Sequence, residues 1–195
     1  MAMGFNRLGW QVFGLALVIA GAGTGCGSKD TSGASGPLSF TDADFSVCSG
    51  TPAIRFTPGL SAVSNSGAYR VAIASAVTDR GAGAAQVATA AIGYATFTMA
   101  VTSAASRDGD AGAPAPEGLT MTTPAVPGSV PADPYMPQHG HGASTVPAIT
   151  AQGGGLFTVG AVDFFMGGYW QLYLDLIPSA GAADPVTFDI CVPTD

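Results

Sequence analysis

Charge is what this sequence has least of. Asp, Glu, Lys and Arg make up 10% of its 195 residues, 6 Lys+Arg against 13 Asp+Glu, and Lys29 and Glu117 are the single representatives of their types. Surface helices usually display Glu, Lys and Arg, so the scarcity argues against a helical fold. The formal net charge of -7 repels phosphate backbones, which speaks against nucleic acid as a partner. Few carboxylates also means few candidates for a catalytic pair. The common catalytic signatures are missing as well: no Gly-x-Ser-x-Gly elbow, no His-Glu-x-x-His, no phosphate cradle after a strand, and no cysteine pair at ligand spacing. The chain reads as a non-enzyme. Histidine occurs twice and cysteine three times.

What is present is apolar and rich in turn formers: 47% hydrophobic residues, 28 Gly and 14 Pro. The one long apolar run is N-terminal. In "MAMGFNRLGWQVFGLALVIAGAGTGC", Arg7 precedes a run from Val12 to about Gly23, shorter than the ~20 residues that span a bilayer, and small residues follow. Residues 1–25 read as a lipoprotein-type signal peptide, because Gly23, Thr24 and Gly25 before Cys26 resemble a lipobox in which Cys26 becomes the lipidated first residue. Cleavage by the ordinary signal peptidase after Ala22, or retention as an anchor, are the alternatives. Residues 26–39, "CGSKDTSGASGPLS", suit a flexible tether to a membrane in the cell envelope, on an outer-membrane or periplasm-facing surface. Losing residues 1–25 removes Arg7 alone, so 6 − 1 = 5 basic residues face 13 acidic ones and the net charge becomes -8.

With Cys26 assigned to lipid, Cys48 and Cys191 remain as a pair near the two ends of residues 40–195. In an oxidising compartment such a pair is expected to form a disulfide, joining the first and last strands. The alternative is two buried thiols.

Alternating segments dominate residues 40–195. Tyr69, Val71, Ile73 and Val77 share one face of "YRVAIASAV". Phe97, Met99 and Val101 do so in "TFTMAV", and Trp170, Leu172, Leu174 and Leu176 in "YWQLYLDLI". Val186, Phe188 and Ile190 mark a last strand. In "GLFTVGAVDFF" the apolar parity switches across Gly160, which predicts a bulge or kink at that glycine. Six to eight strands without a sustained helical period predict a single all-β domain, an immunoglobulin-like antiparallel sandwich of two packed sheets.

"PYMPQHGHGAS", "FFMGGYWQLYLDL" some twenty residues later and the terminal "FDICV" together resemble the YtkA-like group of exported domains, related to the FixH family. The matching residues are Met136, Pro137, His139, Gly140, His141, Gly142, Phe164, Met166, Gly168 and Trp170. The similarity covers about residues 91 to 192, and the earlier strands resemble the leading strands of lipoprotein members. Two features depart from the pattern: a longer charged, Gly-rich stretch before "PEGLTMTT", and Gly167 where a Pro commonly follows the Met. The resemblance implies a sandwich with links to copper handling, hence copper-handling or other envelope proteins as partners.

Two readings of "HGH" follow. If the tripeptide is extended, His139 and His141 project to one side about 7 Å apart and can chelate one ion, with Met136 and Met166 as thioether ligands and Trp170 as a cap. Imidazole plus thioether in a carboxylate-poor loop favours Cu(I). In the other reading the methionines are core residues, and the histidines hydrogen-bond backbone carbonyls to pin a turn in a structural or protein-interaction module without metal. Asp163, close by in sequence, could orient a histidine, but it sits in a strand and is expected to face solvent.

Overall fold

The computed structural model describes residues 40–81, 86–104, 113–124 and 134–194. Residues 1–39, which include the expected signal segment, the expected tether and Cys26, lie outside them. A short 3-10 helix, Asp42–Cys48, is followed by eleven strands: β1 (Ile54–Arg55), β2 (Leu60–Val63), β3 (Tyr69–Asp79), β4 (Gly93–Ser103), β5 (Thr120–Thr122), β6 (Tyr135–Met136), β7 (His141–Gly142), β8 (Ala148–Gly153), β9 (Leu156–Phe164), β10 (Gly168–Ile177) and β11 (Asp184–Val192). Four of these have two or three residues, too short for any periodicity to reveal, which is why the sequence predicts fewer.

The strands form the expected two-sheet sandwich. One sheet runs β1-β11-β10-β6-β7, with β5 also pairing β10, and the other runs β2-β3-β4-β9-β8. All pairings are antiparallel except that of the two-residue β1 with β11. Trp170, Leu172, Leu174 and Leu176 of β10 and Val186, Phe188 and Ile190 of β11 face Val71 and Ile73 of β3, Phe97, Met99 and Val101 of β4, and Val159, Val162 and Phe164 of β9. Together they make one core. Burying a side chain of this size contributes roughly 1.5 to 3 kcal/mol, so these alternating stripes set which face of each strand turns inward.

Two bulges modify the alternation. Across β4 and β9 the register slips between Ala95 and Phe97, where Gly160 and Ala161 take up an extra residue and bring both Val159 and Val162 inward. Of the two forms expected, a bulge or a kink, the parity switch is a bulge, and the residue in the left-handed region is Ala161, at φ 57°. The second bulge, between Ile73 and Ser75 of β3, has no signal in the apolar pattern. It turns Ala76 and Thr78 inward and Val77 outward, 39% exposed, so Val77 does not share the face of Val71 and Ile73. A one-residue insertion reverses every side chain beyond it. Thr78 is fully buried; its hydroxyl donates to the Thr89 carbonyl (2.7 Å) and accepts from the Ala91 amide (3.2 Å).

The Cys48–Cys191 disulfide is present, with Cα atoms 6.0 Å apart. It joins the end of the 3-10 helix to β11 rather than the first strand to the last. Cys191 points outward beside Tyr169, so the bridge holds the helix on the outer face of the β10–β11 sheet. Next to it the Tyr169 hydroxyl (2.6 Å) and the Gln171 amide (3.0 Å) both donate to Asp189 Oδ1. Burial, and then the Asp189 carboxylate, push the Tyr169 phenol far above its ordinary range.

Candidate functional site

β6 and β7 form a small hairpin in which Met136 pairs with His141, and β6 in turn pairs with β10 through Tyr135 and Gln171. Between Met136 and His141 the chain folds back tightly. The amides of His139 (3.2 Å) and Gly140 (3.0 Å) both donate to the Met136 carbonyl, and the Ala143 amide donates to Pro134 (2.8 Å). Gly140 sits at φ 69°, a conformation costly for a residue with a Cβ. The tripeptide is thus not extended: His139 lies in the turn, His141 in β7. The turn brings the imidazole centres to 5.6 Å, with ring planes at 48°.

The second half of the site is the β9–β10 connection, residues 165–167. Phe165, 45% exposed, stacks on His141 with centres 5.5 Å apart and planes at 24°. Behind Phe165 stands Trp170, edge-on at 5.2 Å and itself edge-on to Phe164. Trp170 is fully buried and its indole N–H donates to the Met166 carbonyl at 3.0 Å. It is a core tryptophan that fixes the turn rather than a cap over the histidines. Gly167 has a structural reason: a Cβ there would lie 2.9 Å from the Pro193 carbonyl oxygen and 2.7 Å from Thr194 Cγ2. A residue with a Cβ, proline included, would force the C-terminal segment passing against it to shift.

The four predicted ligands divide by burial. His139 and His141 are exposed, Met166 is half-buried, and Met136 is completely buried. The Met136 Cε packs on Gly168, 2.8 Å from where a Cβ would stand, so its thioether is engaged in the core. Neither imidazole makes a hydrogen bond among the described residues; both have ring contacts only. The turn is held by backbone bonds instead. Asp163 does not face solvent freely: it is 9% exposed, and burial raises its carboxyl above the usual range. Among the described residues no three His, Cys, Asp or Glu side chains gather closely enough to hold a metal ion. Sequence reasoning missed Phe165, whose only signal was a second Phe after a strand that Phe164 already closes.

A late transition metal sits about 2.0 to 2.1 Å from an imidazole nitrogen, itself about 1.1 Å from the ring centre, so two rings sharing one ion have centres roughly 5 to 6 Å apart. The 5.6 Å spacing of His139 and His141 falls within that range. Comparisons with protein-family models, with curated proteins and with solved structures found no match to this chain.

Proposed function

We propose that this protein is an exported, lipid-tethered β-sandwich that binds Cu(I) through His139 and His141, with Met166 as the thioether partner. The observation that carries the reading is the pair of exposed imidazoles, 5.6 Å apart, whose ring nitrogens bond nothing else among the described residues. A pinned turn would use those nitrogens on backbone carbonyls, and this turn is closed without them. The ion follows from the donors. Zinc in a structural site takes four ligands, often including Cys or carboxylate, whereas Cu(I) accepts few and soft ones. Two exposed imidazoles, to which the β9–β10 connection could offer the Met166 thioether at the edge of the core, with no group of three His, Cys, Asp or Glu among the described residues, suit the second. Phe165 holds His141 in place by stacking on its ring. The burial of Met136 assigns it to packing. The resemblance to YtkA-like domains, resting on the motif residues alone, points the same way, as do the signal segment and Cys26 for the tether.

Titration with Cu(I) against a chromophoric chelator tests the reading. His139→Ala with His141→Ala should lower affinity by at least about tenfold, and Met166→Leu by less. Met136→Leu, which conserves volume in the core, should leave affinity unchanged. Binding should weaken in acid as protons compete for the imidazoles. Indistinguishable curves for the parent and the double-alanine variant would leave only a structural or protein-interaction module.

A further inference from the structure

An exposed strand edge offers unpaired amides and carbonyls to any other strand, and proteins guard such edges with short length, charge or proline. Among the described residues four of the five edges are guarded. β1, β5 and β7 have two or three residues, and β1 carries Arg55. β2 has four residues, and the charged Arg70 guanidinium of β3 lies over its outer face, bonded to Ser61 Oγ at 3.3 Å. β8 is the exception. It spans six residues, pairs only with β9, and exposes all of them except half-buried Ile149. Its outward amides and carbonyls have no backbone partner among the described residues. Its guards stand at its two ends, Pro147 just before it and a register shift between Ala151 and Gly153, which leaves Ala148–Ala151 regular.

The charge distribution says what fits there. From residue 134 to residue 162 there is no Asp, Glu, Lys or Arg, a neutral stretch in a chain of net charge -7. It contains all of β8 and the two apolar side chains that flank it in the chain, Val146 at 56% and Leu156 at 44% exposed. An edge adapted to a charged foreign strand would carry the complementary charge, and β8 itself carries none; the nearby Glu117 shares a cleft with Ala151 and Gly153 at its far end, away from residues 148–150. Two acidic copies of one chain, by contrast, approach with least like-charge repulsion through such a neutral segment. A two-fold axis also lets one patch serve as both halves of the interface.

We propose that β8 pairs antiparallel with β8 of a second copy, joining two five-stranded sheets into one of ten strands. The pairing is independent of the histidine hairpin and of any metal. Its short regular stretch makes the dimer dependent on concentration, which a tether confining copies to a membrane plane would raise.

Sedimentation of the full chain in density-matched detergent provides the test, with Thr150→Lys, Thr150→Asp and an equal mixture of the two. Mass rising with concentration from one chain to two is expected for the parent. Each variant alone should remain at one chain with unchanged circular dichroism, because like charges face each other across the axis. The mixture should regain the two-chain mass by pairing Lys with Asp, a rescue that misfolding could not produce. The proposal is overturned by a parent that stays at one chain throughout, by variants that associate as the parent does, or by folded variants whose mixture does not recover. A parent that stays single yet captures a foreign strand at this edge would likewise count against it.

Discussion

Ala161 is the only described non-glycine residue at positive φ, at 57°, and it stays there because the bulge lets both Val159 and Val162 reach the core. The left-handed region costs an L-residue about 1 to 2 kcal/mol, part of which glycine gives back through its freer unfolded chain. Ala161→Gly should therefore stabilise by about 0.5 to 1 kcal/mol, measured as a melting temperature raised by ~2 °C. Two buried carboxylates behave oppositely. For Asp184, burial works to raise the carboxyl, but donors from Ser64 and Ser66 overcome it and hold it below the ordinary value of 3.8; the Ser66 amide lies at 2.9 Å. A depressed group contributes stability above its unfolded value that is lost as pH falls through the folded one. Asp184→Asn should lower the melting temperature at neutral pH, by an amount that shrinks as the parent is acidified below 3.8. Asp163 is raised by desolvation, so its ionisation opposes folding. Asp163→Asn should raise the melting temperature at neutral pH and confer no advantage in acid, where both states bind the proton.

At the scale of elements, the bulge in β3 matters most, because it turns Thr78 into the core and lets its hydroxyl hold residues 89–91 from both sides. Valine has nearly the same shape but no hydroxyl. Thr78→Val leaves the Thr89 carbonyl and the Ala91 amide without that partner, at a cost of about 1 to 3 kcal/mol. Faster hydrogen exchange at the Ala91 amide would locate the loss in that loop, whereas unchanged exchange there would refute the assignment.

For the whole molecule the disulfide is the longest covalent constraint. It closes a sequence separation of 143 residues, worth up to about 5 kcal/mol on the chain-entropy estimate. Its position on the outer face means that little core packing depends on it. Replacing both cysteines, Cys48→Ser with Cys191→Ser, should lower the unfolding free energy by several kcal/mol in denaturant titration while leaving the β-sheet spectrum intact. Loss of the fold altogether would mean that the Asp42–Cys48 helix does more than cover the sheet.

The long strands were legible because burial on one face writes itself into alternation: Phe97, Met99 and Val101, or Trp170 through Leu176, could point inward in only one register. The cysteine pair was legible by elimination, and the Gly160 bulge because it breaks that alternation. The β3 bulge was not, since after Ile73 the small residues Ala74, Ser75 and Ala76 leave no apolar signal to break. Nor were the short strands, the 3-10 helix that carries Cys48, or the guard that Arg70 places over β2, all of which depend on neighbours remote in sequence. The same division runs through the candidate site. Spacing alone brought His139 and His141 near one another, but the turn geometry that sets their rings at 5.6 Å, the stacking of Phe165 on His141, and the sorting of Met136 into the core arise where the β6–β7 hairpin meets the β9–β10 turn. A sequence determines which side chains must be buried, since that follows from local pattern and the cost of exposing apolar surface. Which polar groups are left without partners is decided only when distant segments are packed together.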